Sequence, residues 1–219
     1  MARSLDYCLM VKQAGMKRKG ILGGSFNPVH HGHLILARDA LEAFALESVV
    51  LVPCATPPHK PATLLAPAAH RAAMLERALA GDPQLVWSRL ELDRTGISYS
   101  VDTVSALCAA EPDVEWHFII GADSLPELVT WHRIEELLAG CRCVTMQRPG
   151  MPDQATLRAA IRLPAPWPDR LLGDLFPGHL VDISSSDIRR RVAVGRSIRY
   201  LVPEPVEAYI TEHHLYQNA

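Results

Sequence analysis

No run of apolar residues in this 219-residue chain is long enough to span a bilayer, which excludes a helical membrane protein. Charge of one sign is also lacking. Twenty-two Lys and Arg face twenty-four Asp and Glu, a net of −2, so nothing suggests a general nucleic-acid binder. Cysteine is scarce: Cys8, Cys54, Cys108, Cys141 and Cys143 are odd in number and irregularly spaced, so a disulfide framework is excluded and a reducing cytoplasm is expected. Cys141-x-Cys143 lies in an apolar run and reads as buried strand rather than half a zinc site. The two common phosphate loops, G-x-G-x-x-G and G-x-x-x-x-G-K-[ST], are both missing, which disfavours a dinucleotide oxidoreductase and a P-loop enzyme. Residues 1–15 carry no signal-peptide pattern. They are expected to be a loosely ordered extension, with 16–219 a single domain whose 183–219 part is helical.

What is present is a dense block, Gly23-Gly24-Ser25-Phe26-Asn27-Pro28-Val29-His30-His31-Gly32-His33. It follows an apolar run at 20–22 and precedes Leu34, Ala37, Leu41 and Phe44 at helical spacing, so it is a strand–loop–helix junction. Ser48 to Val52 is a continuous apolar run of the kind found in buried parallel strands. Strand, helix and strand make a βαβ unit, and the fold class is α/β: a Rossmann-like doubly wound parallel sheet flanked by helices, with a small C-terminal helical region. The loop then lies at the carboxyl ends of the strands. Gly23 and Gly24 let a ligand approach the backbone, Pro28 stiffens the turn, and a helix starting near His33 offers free N–H groups to an anion. His30 and His33 add side-chain donors. A metal site is the rival reading of three His in four residues; no carboxylate or thiol lies close by, and ligands packed on one turn rarely suit one ion.

His30-x-Gly32-His33 fits the H-x-G-H signature of the nucleotidylyltransferase superfamily. With Gly-Gly-Ser-Phe-Asn-Pro before it, the block resembles the bacterial nicotinate mononucleotide adenylyltransferases. Four later stretches match in order. Pro57-Pro58-His59-Lys60 follows the second strand; alone it reads equally as a rigid connector, and the resemblance gives Lys60 a phosphate. Ser98-Tyr99-Ser100-Val101-Asp102-Thr103 is similar to the family's S-Y-T-x-D-T; from spacing, Ser98 or Ser100 caps a helix, and the resemblance adds a nicotinate carboxylate at Ser100, a Ser where the family has Thr. Gly121-x-Asp123-Ser124-Leu125, followed by Trp131 and His132, ends an apolar strand. The resemblance gives Asp123 the adenosine ribose, Trp131 the pyridine ring and His132 a place near the carboxylate. Ile183-Ser184-Ser185-Ser186-Asp187-Ile188-Arg189 resembles I-S-S-T-x-I-R, with Ser186 for Thr; serine at a helix start is also ordinary capping.

The resemblance runs from Lys17 to Tyr216 and implies adenylyl transfer from ATP to nicotinate mononucleotide. ATP would lie on Gly23, Gly24, Ser25, Phe26, His30, His33, Gly121, Asp123, Ile183, Ser184, Ser185 and Arg189. The catalytic groups would be His30, His33, Lys60 and Arg189, and the acceptor groups Ser100, Trp131 and His132. Mg²⁺ is expected to be carried mainly by ATP, with no dedicated carboxylate cage. Neither a nucleic acid nor a membrane is an expected partner, and homo-oligomerisation stays open.

Other stretches are read from pattern alone. Pro67 to Ala80 is a helix with His70 and Arg71 at its surface; Gln84 to Ser88 is a strand extended by Leu90 and Leu92; 179–182 is another. Asp153 to Arg162 forms a short helix. Pro164, Pro166 and Pro168 make irregular chain after it, and 151–178 form an appendage or interface. Arg148 exits a strand at its carboxyl end and reads as a solvated loop arginine, with a phosphate contact as the alternative.

Overall fold

The computed structural model describes residues 16–57, 65–147, 152–179 and 181–217. Six parallel strands form its centre: β1 (Lys17–Gly24), β2 (Ser48–Pro53), β3 (Leu85–Trp87), β4 (Val114–Gly121), β5 (Arg142–Met146) and β6 (Leu175–Phe176). They lie in the order β3-β2-β1-β4-β5-β6. The order reverses between β1 and β4, and the crevice outside the carboxyl ends of those two strands is where such sheets bind ligands.

The central runs, such as Val49 to Val52 and Phe118 to Ile120, are apolar because both faces of the sheet are covered. Successive side chains point to opposite faces. Leu22, Val49, Leu51 and Ile119 pack on one side against α1 (His31–Ala43), α2 (Ala68–Leu79), α7 (Ser185–Ala193) and α8 (Glu204–Glu212). Ile21, Val50, Val52, Phe118 and Ile120 pack on the other. That layer holds α3 (Ser100–Ala110), a 3₁₀ helix (Ala122–Thr130), α4 (Ile134–Gly140), α5 (Gln154–Ala160) and α6 (Trp167–Gly173).

Four expectations change. β3 is only three residues long, and 90–93 are turns, because the Ser88 hydroxyl takes the Leu90 N–H at 3.2 Å and ends the run. Among the described residues the last strand is Leu175–Phe176, and 179, 181 and 182 lie in no strand. His179 is held elsewhere: its N–H and Nδ1 both lie 2.7 Å from the Asp39 carboxylate. The proline-rich stretch contains helix α6, with Pro168 in its first turn, where a missing N–H costs nothing. Residues 152–173 are not an appendage, since Leu157, Ile161, Leu171 and Leu172 are buried in the second layer. Residues 1–15, Lys60 and Arg148 lie outside the described residues.

Candidate active site

The phosphate-loop candidate leaves β1 at Gly24. A β-carbon at Gly24 would stand 3.2 Å from the Phe26 ring, so the glycine lets that ring fold back over the chain. Phe26 is fully buried at a left-handed φ of 44°, a conformation costing a non-glycine residue about 1–2 kcal/mol. Its ring meets the edge of His33 at 5.0 Å. His30 sits in extended conformation at the N-cap of α1 and is 5% exposed. Its ring stacks on His33 at 3.7 Å, and its backbone N–H donates to His33 Nδ1 at 3.2 Å. An Nδ1 that accepts is unprotonated, so the His33 proton is on Nε2. His33 therefore presents an N–H donor from the first turn of a 13-residue helix.

The second block folds onto the first. Arg189 donates to the Asn27 carbonyl at 2.9 Å and to Ser186 Oγ at 3.3 Å. Ser185 Oγ donates to the Pro28 carbonyl at 2.9 Å. Ser184 Oγ takes the Asp187 N–H at 3.1 Å, so it caps α7. A β-carbon at Gly32 would lie 3.1 Å from His30 Nδ1 and 3.5 Å from the Ile183 carbonyl, which explains a glycine between the two histidines. The His31 N–H bonds the Leu201 carbonyl at 3.0 Å, tying the loop to the chain before α8.

The structure thus brings Gly23 to His33 and Ile183 to Arg189 together. Gly121 ends β4 at the same sheet edge, and exposed Asp123 follows in the first 3₁₀ turn. A second wall forms at the N-terminus of α3. Ser100 is its first residue. Tyr99 lies against exposed His132, ring centroids 4.2 Å apart, and half-buried Trp131 meets Phe118 edge to face at 6.1 Å. Neither Ser98 nor Ser100 caps α3; Tyr99 occupies that position without a side-chain bond. Ser98 Oγ instead takes the N–H of Ala55 and of Thr56, at 3.1 and 3.4 Å, because the chain leaving β2 supplies closer donors.

Arg71 corrects the reading of a surface residue. It is 1% exposed and donates to the carbonyls of Ser25 (2.9 Å), Cys54 (2.8 Å) and Ala66 (3.0 Å). It precedes Met74 and Leu75 by three and four positions, on the helix's buried stripe. That spacing was the signal that could have placed it. Asn27 and Tyr216 were also missed. The Asn27 side-chain oxygen takes the Ala66 N–H at 3.0 Å and the Tyr216 hydroxyl at 2.8 Å. Burial pushes the Tyr216 hydroxyl up, so it stays a donor.

Glu91 supports the second wall from inside. It is 6% exposed and accepts from Thr103 Oγ1 at 2.5 Å. Burial pushes its carboxyl above the ordinary 4.5; hydrogen bonds from Thr103 and Ser98 and the Arg94 charge oppose this incompletely. The folded protein therefore holds its proton better than the unfolded chain does. That contribution is complete below the ordinary value and is lost as pH rises through the raised one. Glu91→Gln does not titrate. As pH rises from the ordinary carboxylate range through the raised value, the Tm of the wild type should fall relative to that of Glu91→Gln. A constant difference across that range contradicts the assignment.

Three of the cysteines are not activated nucleophiles. Burial pushes the Cys141 thiol up to about 12 and raises Cys108 and Cys143 as well. Among the described residues, no group of three His, Cys, Asp or Glu could hold a metal ion. No helix among them is long and apolar enough to cross a membrane.

Comparison with known proteins agrees with this geometry. Residues 21–191 match the cytidylyltransferase-like family. The chain is 43% identical over 213 residues to the probable nicotinate-nucleotide adenylyltransferase of Geobacter metallireducens, covering 92% of this chain and 99% of that protein. It is 44% identical over 205 residues to the Symbiobacterium thermophilum protein of the same name, covering 92% and 96%. Among solved structures, Plasmodium falciparum nicotinic acid mononucleotide adenylyltransferase complexed with NaAD is similar in fold. Its TM-score is 0.72 at 16% identity, over 93% of this chain and 98% of that one.

Proposed function

This chain belongs to the cytidylyltransferase-like family and, within it, to the nicotinate-nucleotide adenylyltransferases, and on that premise we propose how its residues divide the work. The reaction is adenylyl transfer from ATP to nicotinate mononucleotide, giving nicotinate adenine dinucleotide and pyrophosphate. One observation carries the assignment of the site. The two blocks, 23–33 and 183–189, are hydrogen-bonded together beside the crevice where the strand order reverses.

The acceptor phosphate attacks the α-phosphorus of ATP, and the bond from that phosphorus to the bridging oxygen of pyrophosphate breaks. A phosphomonoester has its second pKa near about 6 and is largely dianionic at neutral pH. It needs no general base, in keeping with a site that offers donors rather than an acid–base pair. The task left to the protein is to hold two polyanions in line. Such positioning supplies about 7–11 kcal/mol. His33 Nε2–H and His30 serve the α- and β-phosphates. Arg189 uses two of its five N–H donors on protein groups, leaving three for the outer phosphates. Lys60 is assigned to the same phosphates on its sequence context alone.

Mg²⁺ enters as part of the substrate, bound to ATP oxygens, since histidine and guanidinium donors do not make a magnesium cage. Gly23, Gly24, Ser25, Phe26, Ile183, Ser184 and Ser185 form the backbone and hydroxyl wall for ATP, with Gly121 and Asp123 toward the ribose. Ser100 and His132 face the carboxylate, and Trp131 the pyridine ring. Cys54, Cys108, Cys141 and Cys143 are in no disulfide, which suits a reducing compartment, and we assign the reaction to the cytoplasm.

Trp131→Ala should raise KM for the mononucleotide about tenfold or more, the scale of one lost stacking contact. KM for ATP and saturated kcat should stay near wild type. Equal weakening of ATP rejects the stacking role. The proposal as a whole is tested by pyrophosphate release with MgATP and either nicotinate or nicotinamide mononucleotide at matched concentrations. A strong preference for the acid is expected. Equal use of the amide overturns the Ser100 and His132 assignment, and no release with either overturns the function.

A further inference from the structure

Arg71 has no place in the chemistry above, yet it is the most deeply buried cation among the described residues, and every bond it makes runs to a backbone carbonyl. Among the described residues, no acidic side chain is bonded to it. Two of its three carbonyls belong to chain leaving adjacent strands, Ser25 after β1 and Cys54 after β2. The third, Ala66, lies just before α2. The guanidinium meets them from two nitrogens, Nε toward Ala66 and Nη1 toward Ser25 and Cys54, a spread that one ammonium nitrogen does not reproduce.

The Ser25 contact has a consequence for the site. Ser25 shares a peptide plane with Phe26, so a carbonyl fixed on Arg71 fixes the plane from which Phe26 departs. Phe26 leaves it at φ 44°, a strained setting that persists only when its surroundings impose it. That setting lays the ring across Gly24 and against the edge of His33. His33 is gripped from two more directions, by the stacked His30 ring and by the His30 N–H on Nδ1. A continuous chain of contacts therefore leads from a cation inside α2 to the imidazole at the head of α1.

We propose that Arg71 is a positioning residue for phosphate transfer: through the Ser25 carbonyl and the Phe26 ring it holds His33 in one orientation and in the Nε2–H form. The proposal rests on the assignment of His33 to the phosphates given above. Arg71 itself touches no substrate.

The test is Arg71→Lys, which keeps the charge and loses the fork. Folding is checked by circular dichroism and Tm. Two readouts follow: steady-state constants for each substrate, and the ¹⁵N imidazole shifts of His33, assigned with His33→Gln. Wild type should show a single Nε2–H tautomer at His33. Arg71→Lys should show mixed tautomers and a kcat lowered about 10- to 100-fold, the scale of a small misplacement. KM for the mononucleotide should stay within about twofold, since that contact is not made here. A purely structural arginine would lower Tm and leave the tautomer alone. Wild-type kcat per folded molecule, or an unmixed tautomer, overturns the proposal.

If Arg71→Lys does not fold, Phe26→Leu decides. It keeps Arg71 and removes the ring edge, and it should mix the His33 tautomer in the same way; an unmixed tautomer overturns the proposal. Failure of the parent function is separable. It appears as absent pyrophosphate release in the wild type, whereas the tautomer comparison reads the Arg71–Phe26–His33 chain without turnover.

Discussion

His33→Ala is expected to lower kcat by about 10²–10³-fold while the protein still folds with a near-normal Tm. The magnitude is that of losing one preorganised donor aimed at developing charge. His33 is half-buried at the head of α1, so truncation opens no large cavity in the core. What is lost is an Nε2–H whose proton position is set by the His30 N–H on Nδ1. KM for the mononucleotide should change little, because the imidazole is assigned to the ATP phosphates. The measurement is initial-rate pyrophosphate release at saturating substrates, with folding confirmed separately. Turnover within about threefold of wild type removes His33 from the mechanism, since a preorganised donor is worth far more than that.

Arg189→Met should have an effect of similar size, about 10²–10³-fold in kcat/KM for ATP, through two losses. One is a charge-assisted contact to the outer phosphates, of the strong kind that guanidinium makes with phosphate. The other is the bond from Arg189 to the Asn27 carbonyl, which holds the two blocks together. Arg189→Lys separates them. It restores a charge but not the fork, so it should recover part of the ATP affinity and little of the rate. Full recovery by lysine would mean that charge alone matters and that the Asn27 contact is incidental.

Much of this architecture is legible in the sequence. Continuous apolar runs mark β2, β4 and β5 because both sheet faces are covered, and helical spacing marks α1 and α2. The two blocks proposed to hold phosphate are readable because glycine, histidine and serine at strand–helix junctions are suited to anions. Their meeting across more than 150 residues was implied only by the order of motifs, and the Arg189–Asn27 and Ser185–Pro28 bonds are its physical form. Buried polar groups were the blind spot. Arg71 and Glu91 look like surface residues by type, and only tertiary carbonyls and hydroxyls explain their burial. Ser98 was misread because a cap and a loop anchor use the same hydroxyl, and the competing donors, Ala55 and Thr56, come from another strand's exit. The short β6 and the α6 helix were missed where prolines mask a helix start.

The most direct test of the central claim is to count products. MgATP and nicotinate mononucleotide are mixed with the enzyme, and dinucleotide and pyrophosphate are quantified together over time. Direct transfer between two bound substrates predicts one dinucleotide for each pyrophosphate, with no pyrophosphate formed until the mononucleotide is added. Pyrophosphate released without the mononucleotide, or in excess of dinucleotide, would mean that ATP is cleaved by water or by a protein group, contradicting a site built to bring two phosphates into line.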